Sequence, residues 1–304
     1  PQSDAFRSRM VARAAALDAA VADASNAYNP NATNGSRWPI LRPPMAPIVG
    51  LAAVVDGTDL GLPDVPIKLL RRGAINRSPS GKPVRVILGT NRDEMALFLI
   101  AIPRVIPGVH LPFRVEDMAR VADHLAAYHT HWGAAEAKRI TDAYPRDAYS
   151  TGDMQIVRAG TDFCFACDTR NAARALAAAG IDTYLYVFEF EFEGYRDPAS
   201  AACSLEDELD CGIYHGSDVG FVWQHRTSDA RGAAVAAAIG GYWTTLAATG
   251  SPNGNDSLVQ WPRYAAESGY KHIVFADVAT VVDDDYRNVT CNFWDTMPKE
   301  APYV

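Results

Sequence analysis

Hydrophobic residues fall along the chain in blocks whose spacing changes from one block to the next. Residues 84–89, VRVILG, form a short β-branched run between Pro83 and Gly89, the pattern of a buried strand. Residues 183–193, TYLYVFEFEFE, predict a second strand whose later half alternates Phe with Glu, one face dry and the other wet. Helical spacing occupies 114–129 and 134–143, the second ending at Pro145. A further helix runs from Cys164 to Ala179 and stops at Gly180, a natural C-cap, and a long one covers 229–249 before GSPNG. Residues 1–25, rich in Ala and Arg, predict one more helix, and the Pro, Asn and Gly tract at 26–44 is expected as loop.

Strands separated by helices imply helices packed on a sheet, the α/β class. Neither an internal repeat nor a low-complexity linker divides the chain, so residues 1–304 are expected to belong to one domain. Two strands are too little sheet for so many helices, which predicts that further strands escape the pattern.

Charge and motifs narrow the function classes. The net charge is −8, and basic residues form no run longer than Arg71–Arg72, which excludes a nucleic-acid footprint. No stretch reaches about 18 uninterrupted apolar residues, so no membrane span is expected. Asn31, Asn34, Asn76, Asn255 and Asn288 each open an N-x-S/T acceptor pattern, mostly beside Gly, Pro, Asp or Ser, and together they point to the secretory pathway and an extracellular setting. The cysteines, 164, 167, 203, 211 and 291, are odd in number, so one is free or pairs outside the chain. Cys164 and Cys167 form C-x-x-C, but no second such pair accompanies them at metal-site spacing, and no metal or cofactor is implied.

Candidate chemistry sits at the strand ends. The polar GTNRDE follows the strand at 84–89, and YHGSD lies in the loop beyond the strand at 183–193. In open α/β sheets, catalytic groups gather beyond the carboxyl ends of strands, where loops converge on one crevice. Glu94 and His215 fit that placement. A carboxylate that accepts the Nδ1 proton of a histidine fixes its tautomer and leaves Nε2 free to take a proton from a nucleophile. On the residues alone, a loop histidine is as readily a surface or structural group.

The blocks VVDGTDLGLPDVPIKLLRRG, PVRVILGTNRDEMALF, TYLYVFEF, YHGSDVGFVW, YWTTLAATGSPNG, WPRY and CNFWDTMP resemble, in that order, the type-B carboxylesterase and cholinesterase family of α/β hydrolases. That resemblance implies the C-terminal part of such a fold, a mostly parallel sheet with helices on both faces that is incomplete without its N-terminal half. It implies Glu94 as triad acid, His215 as triad base and Asp218 as a brace of the loop. Met95 stands where the family often has glycine, and with Phe221 and Trp223 it is expected to wall the site. It implies a disulfide between Cys167 and Cys291; Cys203 and Cys211 are expected to pair locally, leaving Cys164 free or bridging elsewhere.

The family's serine sits in G-x-S-x-G at a strand-to-helix turn, and this sequence contains no such pattern; its glycine-rich oxyanion loop is absent as well. The expectation is therefore an N-terminal fragment of the same precursor that supplies both, acting on a small-molecule ester. A cholinesterase-like adhesion domain, which keeps the fold and loses the chemistry, is the other reading; the presence of both Glu94 and His215 speaks for the enzyme. Three features have plainer expectations: His124, His129 and His131 as a helix face, VVDDDYRN at 281–288 as a solvated acidic turn, and Trp243 and Trp261 as core.

Overall fold

Strand β1, Val86–Asn91, lies beside β2, Thr183–Phe188, in parallel, with partners running from Val86 and Thr183 to Asn91 and Phe188. The computed structural model describes residue 57, residues 63–75 and 81, and residues 84–298 apart from 103–105, 110, 130, 192–211, 226–228, 255, 277–278 and 283. The chain divides into two compact units, residues 1–65 with Val304 and residues 66–303, and the sheet with its helices belongs to the second. The helix expected at 1–25 and the loop at 26–44 lie outside the described residues.

Two strands that the hydrophobic pattern did not reveal complete the sheet: β3, His272–Phe275, parallel to β2, and β4, Ala279–Val282, antiparallel to β3, giving the order β1-β2-β3-β4. Each is four residues long, too short for alternation to be read. The strand expected over 183–193 stops at Phe188. Its neighbours end there: Arg92 N–H donates to Phe188 O as β1 turns away, and Glu189 N–H makes a last bond to Phe275 O at the end of β3. Among the described residues the ladder goes no further, although Phe190 stays buried.

Among the described residues the helices are α1 (Pro66–Arg71), α2 (Asp117–Tyr128), α3 (Ala134–Ala143), α4 (Gly152–Thr161), α5 (Cys167–Ala178), α6 (Val219–Val222), α7 (Ala230–Thr249) and α8 (Asn288–Asp295), and Glu94–Ala101 forms a 3₁₀ segment. Every residue of β2 is buried, as a strand covered on both faces requires. Tyr184, Tyr186 and Phe188 pack with Val235, Ile239 and Tyr242 of α7. Leu185 and Val187 point the other way, into a cluster with Ala166 and Ala173 that includes α5. This alternation produces an α/β sheet with helices on both faces, the arrangement of an α/β hydrolase.

The helix expected from Cys164 begins much earlier, at Gly152, where the Thr151 side chain caps Met154 N–H, and continues through a π-turn at Asp162–Ala166 into α5. Two glycines hid it. A Cβ on Gly152 would come within 2.5 Å of Phe113 O, and one on Gly160 within 2.6 Å of the Met95 side chain, so both serve close approach and neither breaks the helix.

The acidic turn at 281–288 is solvated only in part, with Asp284 exposed and its neighbour turned inward. Asp285 is largely buried, pairs with the wholly buried Arg170 and with Arg174, and accepts from Tyr264 OH. Arg170 also binds Asp295 Oδ2 at 2.6 Å and Asn292 Oδ1 at 3.1 Å, which ties α5 to α8. The disulfide Cys167–Cys291 joins the same two helices. Trp261 is buried in the core and donates to Leu185 O at 3.2 Å, while His129 stacks on Trp132 with ring centres 3.9 Å apart. Among the described residues, no helix is long and apolar enough to cross a membrane, and no three His, Cys, Asp or Glu side chains are grouped to hold a metal.

The disulfide closes a loop across 124 residues. Replacing both cysteines with serine should lower the unfolding free energy in urea by about 2–5 kcal/mol, the range for a long native loop; a loss under about 0.5 kcal/mol would mean that the Arg170 cluster alone holds α8.

Candidate active site

Each polar side chain at the end of β1 has a hydrogen-bond or ion-pair partner, which explains why an apolar strand runs into TNRDE. Thr90 Oγ1 bonds Tyr286 OH at 2.7 Å, and Asn91 Nδ2 donates to Asp218 Oδ1 at 3.2 Å. The chain then reverses at Arg92 and Asp93, and Glu94 opens the 3₁₀ segment. Asn91 N–H donates to Glu94 Oε1 at 2.7 Å, so one carboxylate oxygen is fixed by backbone and the other is aimed outward.

His215 reaches that second oxygen from the loop beyond β2: its Nδ1 lies 2.7 Å from Glu94 Oε2. Gly212 enters the loop with φ +47°, and Gly216 leaves it with φ +84°, a conformation that favours glycine. Ser217 folds back, its hydroxyl donating to Tyr214 O at 2.7 Å, and Asp218 leads into α6. Asp218 does not bond the base. It accepts from Tyr186 OH at 2.7 Å as well as from Asn91, tying the loop to both β1 and β2. The Tyr186 ring needs Gly89 to reach it, since a Cβ there would lie 2.1 Å from the ring.

Glu94 is buried, whereas about half of the His215 side chain is exposed. The hydrogen bond that Nδ1 donates to Glu94 raises the pKa of His215 above its ordinary value; burial opposes the shift, and the charges of Glu94 and Asp218 add to it. With Nδ1 committed to Glu94, Nε2 is the nitrogen left to exchange protons, and no serine hydroxyl among the described residues is hydrogen-bonded to it. Two aromatic rings flank the imidazole, Phe98 at 5.4 Å and Phe165 at 5.2 Å, themselves stacked at 5.9 Å. Phe165 is delivered by the π-turn, a feature with no mark in the hydrophobic pattern.

The expected walls are placed otherwise. Phe221 is wholly buried against Phe188 and Phe190, supporting the loop from beneath because its ring completes the core above β2. Met95 fills the close approach to Gly160 and is buried as well; Trp223 is 68% exposed, at the end of α6. Cys203, Cys211, Asn31, Asn34, Asn76 and Asn255 lie outside the described residues. Asn288 is exposed in the first turn of α8. Cys164 is free, its thiol pushed up to about 12 by burial and by Asp168. A shallow cleft lined by Tyr184, Asn253, Trp261, Arg263 and Lys271 opens near the start of β2, and neither Glu94 nor His215 lines it.

The sequence model of the carboxylesterase family matches residues 25–294. The chain belongs to the carboxylesterase family. Carboxylesterase 5A of Homo sapiens is similar to it, with 25% identity over 256 residues, 81% of this chain and 40% of that protein. The chain thus spans well under half the length of this relative.

Nothing in the hydrophobic pattern marks Phe98 or Phe165 beside the imidazole, or Asp93 as wholly buried and 2.9 Å from Arg158 Nε. The burial of an acid beside Glu94 has no signature in a run as polar as TNRDE.

Glu94→Gln should lower the His215 pKa, as read by NMR titration of its ring protons. Because the folded-state pKa is raised, the stability that the pair contributes is fully present below the unfolded value of about 6.5 and is lost as pH rises through the folded value. The melting-temperature difference between parent and variant should accordingly shrink with rising pH across that window; an unchanged His215 titration would show that Glu94 does not hold its proton.

Proposed function

We propose that the protein is part of a carboxylic ester hydrolase that works by acyl transfer to a serine and then to water. The observation that carries this reading is the 2.7 Å bond from buried Glu94 to His215 Nδ1, beside an imidazole half open to solvent. In the first step the serine oxygen attacks the ester carbonyl while His215 Nε2 takes the hydroxyl proton. Glu94 holds the tautomer and stabilises the imidazolium, and the two flanking rings limit its rotation. The imidazolium then protonates the departing alcohol as the acyl–oxygen bond breaks. Water, deprotonated by the same nitrogen, releases the acid and restores the serine.

The serine and the oxyanion-hole donors are assigned to an N-terminal polypeptide of the same precursor. Two observations support this: the sequence holds no G-x-S-x-G, and among the described residues β1 pairs only with β2, leaving the backbone of its other edge unpaired and Val86, Ile87 and Leu88 only partly buried. An apolar open edge of this kind invites another strand. Residues 1–304 are in this reading the C-terminal part of one hydrolase domain, the family match running over 25–294. The N-x-S/T sites and the disulfide between α5 and α8 favour a secreted protein, with Asn288 exposed for glycosylation.

A fluorophosphonate probe should label one serine on a polypeptide that copurifies with this chain, and His215→Gln should slow the labelling by about 10³-fold or more. Absence of label on every associated polypeptide would overturn the reading and favour the adhesion domain.

A further inference from the structure

Asp93 stands between the two groups of the site and belongs to neither. Its backbone N–H donates to Ile213 O at 3.0 Å, and its Oδ2 accepts Ile213 N–H at 3.0 Å, closing a ring of bonds one residue before Glu94 and two before His215. We propose that Asp93 is a positioning residue that fixes the acid-bearing turn against the base-bearing loop, so that His215 meets Glu94. The proposal rests on reading those two residues as the acid and the base.

Packing at this junction leaves no room for slip. Asp93 is wholly buried, and a Cβ on Gly212 would lie 2.3 Å from its Oδ2, so the loop can approach only because residue 212 is glycine. Charge makes the same contact specific. Arg92 Nε donates to Asp93 Oδ2 at 2.9 Å, and Arg158 Nε lies 2.9 Å from Oδ1, drawing α4 onto the turn. Burial holds the Arg158 guanidinium below its ordinary range, Asp93 opposes that shift, and Arg287 and Arg92 add to it. Without the Asp93 charge, Arg158 would lose the carboxylate 2.9 Å from its Nε and keep only the more distant Glu189, while Arg92 would keep the exposed Glu191 and Arg287 would keep Asp162, so the turn would move to relieve the stranded guanidinium. The carboxylates that raise the His215 pKa are Glu94 and Asp218. Asp93 holds the base-bearing loop through the backbone of Ile213, two residues before His215.

The test uses the complete protein with Asp93→Asn, Arg158→Gln and Gly212→Ala. Each folded variant should lower kcat roughly tenfold to hundredfold with KM within about twofold, the signature of a misplaced catalytic group. Each should also weaken or shift the far-downfield Nδ1 proton resonance of His215, identified as the signal that Glu94→Gln abolishes. Arg158 is a quarter exposed, and its replacement leaves the carboxylate in place, so this variant decides the test should Asp93→Asn not fold. A folded Arg158→Gln protein that keeps both the parent resonance and the parent kcat overturns the proposal. If the parent turns over no ester but the resonance responds to the variants, the positioning role stands and the ester reading falls.

Discussion

Parallel pairing of β1 with β2 is the constraint from which the site follows. Two parallel neighbours end on the same side of a sheet, so the turn after Asn91 and the loop after Phe188 leave together, and residues far apart in sequence face each other across one strand spacing. An antiparallel pairing of the same strands would send Glu94 and His215 to opposite ends. Burial of β2 on both faces, by α5 and α7, makes the register hard to slip, because a one-residue shift would exchange the side chains of the two cores.

Placement to within a hydrogen bond needs more than strand direction, and buried charge supplies it. Behind the acid-bearing turn, Arg287 donates to Arg92 O at 2.9 Å and pairs with Asp162, which also accepts from Tyr144 OH at 2.8 Å. In front of it, Asp93 engages Arg92, Arg158 and the backbone of Ile213. Buried ion pairs of this kind contribute little net stability compared with apolar packing, yet breaking one leaves a charge stranded at a cost of about 3–5 kcal/mol. Such a frame tolerates few alternative geometries, which suits a site where Glu94 must hold an imidazole in one orientation.

Much of this was legible in the chain. The β-branched run at 84–89 and the apolar start of TYLYVF announce the central strands, and the polar residues after them mark where chemistry gathers. Family resemblance adds the roles of Glu94 and His215 and the pairing of Cys167 with Cys291. What escaped has physical reasons. Strands β3 and β4 are too short to show a period, and Gly152 and Gly160 look like breaks because packing contacts that demand them lie far away in sequence. Asp285 falls in the turn expected as solvated, and nothing in the sequence marks Asp93 and Asp162 as buried, since pairing with Arg170, Arg158 and Arg287 is set only by the tertiary fold. Phe221 stands close to the base in sequence, yet the turn of α6 sends it into the core, while Phe165, in a segment with no evident link to the site, arrives beside the imidazole.

In the proposed reaction a buried carboxylate orients and a half-open imidazole carries the proton, so neither residue does its part without the other. A double-mutant cycle in ester hydrolysis by the complete protein, with Glu94→Gln, His215→Gln and both together, tests this directly. Residues that act as a unit are strongly non-additive, so the double variant should retain a kcat within about threefold of His215→Gln alone. Multiplication of the two single losses would show that Glu94 and His215 act independently and would contradict the account.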